Sequence, residues 1–285
     1  MSKKEYVLVS GATGQQGGVV ARELLKAGYP VRAMTRKPEG DKARALAKAG
    51  AEMIYGDLDD AGSLEKALKG VWGVFSVQNT WEAGVEKEEA QGKRFAEIAR
   101  RAGVKHFVYS SVGSAHRGTG IPHFDNKWRV EETVRKLGFP SHTVIRAAFF
   151  MENFASPWFK PGIDAGKLMV GIKPETVLQM IAVQDIGKYG LWAFENYKTL
   201  NGRAIDIAGD ALTMPEAAKI IGKAAGRSVE FVQTPIDEVR KSNGDFATML
   251  EWFDRVGYNA DIDKTSKESG VKPTKFAEWA SKVTW

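Results

Sequence analysis

A short apolar strand, Tyr6-Val-Leu-Val-Ser10, runs directly into Gly11-Ala12-Thr13-Gly14-Gln15-Gln16-Gly17, and Val20, Leu24 and Ala27 then recur at helical spacing. Strand, glycine turn and helix in that order constrain the fold more than any other feature of the chain. Glycines spaced G-x-x-G-x-x-G let the backbone turn sharply at Gly11 and Gly14, and let helix and strand approach closely at Gly17. The start of such a helix presents unpaired N–H groups and the positive end of its dipole to an anion. A tight strand-to-helix turn holding no ligand is the plain alternative. The flanking strand and helix favour the pyrophosphate of a dinucleotide, seated on Gly11, Ala12, Thr13, Gly14, Gln15, Gln16 and Gly17.

Further strands alternate with helical patterns: Val31–Thr35, Glu52–Tyr55, Gly73–Val77, His106–Ser110 and Thr143–Arg146, with helices over about Glu86–Ala102 and Asp125–Leu137. This alternation predicts an α/β chain, a Rossmann-type doubly wound parallel sheet whose six strands are complete by about residue 150. From Phe149 to Gly171, Gly, Pro and aromatic residues crowd together and predict a loop-rich segment. Val183-Gln-Asp-Ile leads into an apolar helix. Thr213-Met-Pro-Glu216 has the spacing of a capping box, and Val229–Gln233 reads as a strand with helices near Pro235 and Phe246. The expected organisation is a dinucleotide-binding domain over residues 1–150 and a smaller C-terminal α+β cap, or substrate lobe, over residues 151–285. The boundary is approximate, and parts of the second segment are free to return to the first.

The end of the second strand bears on which dinucleotide is held. NAD sites commonly place an acid there to bind the ribose hydroxyls. Here the residues are Thr35-Arg36-Lys37, with no acid before Glu39. An acid would repel a 2′-phosphate, whereas the Arg36 guanidinium can pair with one through charge-assisted bonds, so the expected cofactor is NADP(H). Past the third strand, Asp57 has the chemistry to accept a hydrogen bond from the adenine amino group, with Leu58 packing on the ring; a helix-capping loop is the alternative.

Composition removes several classes. With no cysteine there is no disulfide framework, thiolate metal site or cysteine nucleophile. The four histidines show no metal-ligand spacing, so no metal is expected. No apolar run approaches the roughly 20 residues that span a bilayer, and the opening Met-Ser-Lys-Lys-Glu-Tyr lacks the apolar stretch of a secretory signal. A cytoplasmic address is the default expectation. The net charge of +6 could favour nucleic acid. The bases are interleaved with acids, however, as in Glu86-Lys87-Glu88-Glu89 and Arg129-Val-Glu-Glu, which reads as solvated surface, and no docking motif accompanies them.

Taken together, Gly-Ala-Thr-Gly-Gln-Gln-Gly, Thr-Arg-Lys-Pro, Gly56-Asp57-Leu58-Asp59-Asp60 and His123-Phe-Asp-Asn-Lys127 resemble the NmrA-like family. These are atypical members of the extended short-chain dehydrogenase/reductase superfamily, among them NADP-binding regulators and redox sensors as well as NADPH-dependent quinone reductases. The resemblance implies that Gly11 to Gln16 hold the pyrophosphate, and Arg36, with Lys37 beside it, the 2′-phosphate. It further implies that Gln78, Asn79 and Thr80 line the cofactor, that Lys127 reaches the nicotinamide ribose, and that Phe150, Met151, Glu152 and Asn153 close over the nicotinamide end. His123 stands where typical short-chain dehydrogenases carry the tyrosine of Tyr-x-x-x-Lys, with Lys127 in register. The imidazole is either an acid–base group working near neutral pH or a loop histidine packed near the cofactor. A substrate-polarising serine is expected at the end of the fifth strand, Ser110 or Ser111, with Ser111 grouped with His123 and Lys127 as the catalytic set. Trp81, Phe149, Phe150, Met151, Phe154 and Trp158 either build an apolar slot for a flat substrate or form the core of the cap.

Two functions follow. One is an NADPH-dependent oxidoreductase acting on a quinone or small carbonyl substrate. The other is a non-catalytic NADP(H)-binding sensor that works through a protein partner. Monomer and homodimer are both compatible with the sequence. Arg36→Asp is expected to weaken NADP binding more than NAD binding in calorimetric titrations; equal losses would remove the 2′-phosphate contact.

Overall fold

The computed structural model describes residues 4–285; residues 1–3, part of the opening stretch considered above for a secretory signal, lie outside the described residues. The first half alternates as β1 (Val7–Val9), α1 (Gln15–Lys26), β2 (Val31–Thr35), α2 (Asp41–Lys48), β3 (Glu52–Tyr55), α3 (Ala61–Leu68), β4 (Gly73–Ser76), α4 (Thr80–Ala83), α5 (Val85–Arg101), β5 (His106–Val112), α6 (Pro122–Lys136) and β6 (Ser141–Ala147). The second half adds β7 (Phe149–Phe150), α7 (Lys160–Asp164), β8 (Lys167–Val170), β9 (Val177–Ile181), α8 (Val183–Glu195), β10 (Ala204–Ile207), β11 (Asp210–Thr213), α9 (Met214–Ala225), β12 (Glu230–Gln233), α10 (Ile236–Ser242), α11 (Gly244–Arg255), α12 (Ile262–Ser269) and α13 (Phe276–Ala280).

Seven strands form the main sheet in the order β10-β6-β5-β4-β1-β2-β3. β1 pairs in parallel with β2 on one side and β4 on the other, with Val7 opposite both Val31 and Gly73. The chain order therefore reverses at β1, and in open parallel sheets ligands bind beyond the strand ends at such a point. The seventh strand, Ala-Ile-Asp-Ile, arrives from beyond residue 200, where its four residues are too short a run to be distinguished by pattern. A six-strand sheet complete by residue 150 is thus one strand short.

The chain divides into two compact units. The first comprises the chain up to Val112, Asn126–Arg146 and Ile186–Ile205; the second comprises Gly113–Asp125, Ala147–Asp185 and Asp206–Trp285. In the first unit, β1 is fully buried, as expected of a strand covered on both faces. Leu8, Val74, Phe95, Ile98, Phe107, Val130 and Val134 belong to one apolar cluster between sheet and helices. α8 returns to this unit and approaches α1 through small residues. A Cβ at Gly187 would stand 2.9 Å from the Val19 carbonyl oxygen, and one at Gly190 would stand 2.9 Å from Val20 Cγ2.

In the second unit, β9 pairs antiparallel with β11 and parallel with β7, and β12 pairs in parallel with β8. The capping box is formed: the Thr213 N–H donates to Glu216 Oε2 at 2.9 Å, and the Glu216 N–H donates back to the Thr213 hydroxyl. α6 begins at Pro122, three residues before the expected Asp125. Proline suits a first helical turn because its missing N–H has no helical partner there, and the Asp125 N–H already bonds the Ile121 carbonyl at 2.9 Å. His123 is therefore helical rather than a loop residue. No helix among the described residues is long and apolar enough to cross a membrane.

Gly187→Ala is expected to cost about 1–3 kcal/mol in urea unfolding, because the added methyl meets backbone that cannot retreat. Gly244→Ala, where a Cβ meets nothing within 4 Å, serves as the near-neutral control.

Candidate functional site

The glycine turn is locked to the sheet before it reaches the helix. The Ser10 hydroxyl donates to the Val77 carbonyl at 3.1 Å and the Val77 N–H donates back at 2.9 Å, joining the ends of β1 and β4. Gly11 sits at φ +56°, a left-handed conformation that side chains resist. The Gly14 N–H closes the turn on the Gly11 carbonyl at 2.8 Å. At Gly17 a Cβ would lie 2.4 Å from the Gly11 oxygen and 2.6 Å from the Ser10 oxygen, so only glycine fits. Gly14 caps α1 without any side-chain acceptor, and Gly14 and Gln15 are exposed. The start of this three-turn helix therefore has no side-chain cap among the described residues, the arrangement that receives an anion.

Arg36 follows β2 directly. Its guanidinium pairs with Glu82 of α4, and both side chains are more than half exposed. Arg36 is made more basic, chiefly by that hydrogen bond and further by the negative field of Asp57 and Asp59. The Lys37 N–H donates to the Thr35 hydroxyl at 3.2 Å, and that hydroxyl lies 3.3 Å from the Thr13 hydroxyl, linking turn and strand end. Asp57 holds its own loop by accepting from the Asp59 N–H at 2.9 Å, and Leu58 packs against the apolar cluster. Asp57 therefore has a local structural task alongside any adenine contact.

Beyond β4, Gln78 is buried. Its amide donates to Ser76 Oγ at 3.0 Å, while its carbonyl oxygen has no hydrogen-bond partner. Asn79 is exposed and caps α4 by accepting from the Trp81 N–H at 3.1 Å. The buried Thr80 hydroxyl donates to Glu88, which also accepts from Lys127 Nζ at 2.6 Å and Asn126 Nδ2 at 2.8 Å. Burial alone would raise the Glu88 carboxyl. The Lys127 ammonium, helped by Thr80 and Asn126, outweighs it and holds the group below the usual carboxylate range.

The two serines of β5 diverge, as successive strand residues must. Ser110 donates to the Gln16 side chain of the glycine turn at 2.6 Å. Ser111 donates instead to Glu131 Oε1 at 2.6 Å, and Glu131 is clasped by Arg146 through two bonds of 2.9 and 2.7 Å. Ser110, not Ser111, is the serine beside the turn. In the second unit, His123 Nδ1 lies 2.5 Å from Asp245 Oδ1.

Phe150 pairs with Ile181 across β7 and β9. Both Glu152 carboxylate oxygens accept the Val183 N–H at the start of α8. Phe149, Met151 and Phe154 are buried, Phe149 against Phe253 and Phe154 against Phe276, so they belong to the core of this unit. Trp81 and Trp158 are exposed. Among the described residues no cluster of three His, Asp or Glu side chains is arranged for a metal ion.

Residues 3–280 match the NmrA-like family. The chain belongs to that family. It is 30% identical over 305 residues to an NmrA-like family domain-containing protein of Dictyostelium discoideum, covering all of this chain and 99% of the relative. Its fold is similar to that of an NADPH-dependent quinone oxidoreductase of Escherichia coli solved with NADPH (TM-score 0.82, 22% identity, 96% of this chain and 98% of that one). It is also similar to that of NmrA, a negative transcriptional regulator, solved with NADP (TM-score 0.80, 22% identity, 99% and 96%).

In this NmrA-like protein the glycine turn, Thr35, Ser110 and Gln16 form one linked group, and Gln78, Thr80 and Lys127 belong to the same unit. Of the expected catalytic set, Ser111 is bonded to Glu131, Lys127 to Glu88 and, in the second unit, His123 to Asp245. Glu88 and Glu131 correct the reading of their charge runs as solvated surface, since they are 1% and 0% exposed. The signal for Glu88 was present: it lies seven residues, two helical turns, before the buried Phe95. Asp245 carried no comparable signal.

Glu88→Gln leaves Lys127 without its counter-charge and is expected to lower stability at pH 7 by about 3 kcal/mol in urea unfolding. Because the folded-state pKa of Glu88 is depressed, its contribution is present above the ordinary value of 4.5 and fades as pH falls through the lower folded value. The gap between wild type and variant should therefore narrow below pH 4.5. A gap independent of pH would rule out an ionised Glu88.

Proposed function

We propose that this NmrA-like protein binds NADP(H) in the cytoplasm and acts as an NADPH-dependent oxidoreductase on a quinone or small carbonyl acceptor. The observation that carries the binding half is the uncapped start of α1, held by Gly17 directly against the Gly11 and Ser10 carbonyls. Arg36, placed immediately after β2 where an NAD site would carry an acid, supports NADP over NAD. The partnerless carbonyl oxygen of buried Gln78, among the residues expected to line the dinucleotide, supports the same placement.

When bound, NADPH supplies a hydride. The chain's own residues bind and orient: the α1 N–H groups and Arg36 take phosphates, and Glu88 fixes the Lys127 ammonium that is to meet the nicotinamide ribose. A quinone that gains a hydride becomes a stabilised anion that water can protonate, so the absence of a tyrosine at position 123 is compatible with turnover.

A second reading, a non-catalytic redox sensor acting through a protein partner, is favoured by the ties of His123 to Asp245 and Lys127 to Glu88. The two separate on an acceptor panel followed by loss of nicotinamide absorbance. Turnover of NADPH with a quinone is the expected result. Micromolar NADPH binding with no acceptor consumed above solvent background would overturn the enzyme reading and leave the sensor.

A further inference from the structure

We propose that Glu82 is a specificity-determining residue: its carboxylate holds the Arg36 guanidinium in an ion pair that a 2′-phosphate must displace and a ribose 2′-hydroxyl need not. The inference rests on the NADP(H) reading above and concerns how strongly the site separates NADP from NAD.

Glu82 is presented by a turn that is fastened on both sides. Asn79 accepts from the Trp81 N–H at 3.1 Å, and the Glu82 N–H donates to the Asn79 carbonyl at 3.2 Å. Next to them, the Thr80 hydroxyl is bonded to Glu88, itself buried and bonded to Asn126 and Lys127. The four-residue α4 is thus tied to the interior of its unit and carries Glu82 to Arg36, 46 residues earlier in the chain.

The guanidinium is the recognition group for a phosphate, and its fork fits one planar or tetrahedral anion at a time. A phosphate dianion arriving there meets Glu82 already in place, with Asp57 and Asp59 adding negative field. Asp59 is itself neutralised by Lys87 at 2.8 Å and lies 3.5 Å from Arg94. That leaves Glu82, hydrogen-bonded to the guanidinium, as the main competitor. A dinucleotide with a free 2′-hydroxyl brings no charge and leaves the pair intact. The pair therefore lowers affinity for NADP alone. Because both side chains are more than half exposed, the effect is several-fold rather than many orders of magnitude.

The test is isothermal titration of NADP⁺ and NAD⁺ into wild type, Glu82→Gln, Arg36→Gln and the double variant. Glu82→Gln should tighten NADP⁺ about three- to fivefold while NAD⁺ stays within twofold, and the gain should vanish when Arg36 is also replaced. An NADP⁺ to NAD⁺ ratio unchanged by Glu82→Gln, or a gain that persists without Arg36, would overturn the inference and leave the NADP(H) reading standing. A wild-type protein that binds no NADP⁺ would overturn both.

Discussion

The contact between the start of α1 and the end of β1 governs the rest of the first unit. At Gly17 the helix backbone comes so near the Gly11 and Ser10 carbonyls that a single methyl would overlap them. That approach fixes where the α1 N–H groups point. It also fixes the register in which Val20 and Leu24 meet the sheet, since both are fully buried on the face that follows. The Ser10–Val77 pair of hydrogen bonds brings the ends of β1 and β4 together beside the same turn. An anion-receptive helix start at the reversal of strand order is therefore a consequence of packing, and needs no additional binding loop.

Around this turn the protein buries charge only where it is answered. Glu88 is met by a lysine, an asparagine and a threonine, and Glu131 by two arginines and a serine. Burying a lone carboxylate would be prohibitive, so each is surrounded by donors. These two nodes fasten α5 and α6 to the neighbouring elements. They also take up side chains, Lys127 and Ser111, that the motif alone would assign to chemistry. The arginine after β2 is handled differently: Arg36 and Glu82 are more than half exposed, a pair that water can reach.

Much of this was legible in the sequence, and the legible parts share a cause. The glycine turn, the parallel alternation, the arginine after β2 and the capping box at Thr213 are all local, each set by residues within a few positions of one another. What was not legible shares a cause too. Glu88 and Glu131 sit in charged runs, and only the helical face they occupy tells that they are buried. Ser110 and Ser111 are adjacent in sequence, and strand alternation sends them to different partners. β10 is a four-residue run that becomes a strand only because β6 offers it an edge.

By itself, then, the sequence determined that a strand must turn through three glycines into a helix with a bare start, and that a guanidinium rather than a carboxylate follows the second strand, because backbone sterics and local charge act over a few residues. The tertiary structure alone decided which charges are hidden and with whom. Asp245 lies 122 residues from His123, and Arg36 lies 46 from Glu82. No periodicity or propensity spans such separations, since those signals are read within windows of about 11–18 residues.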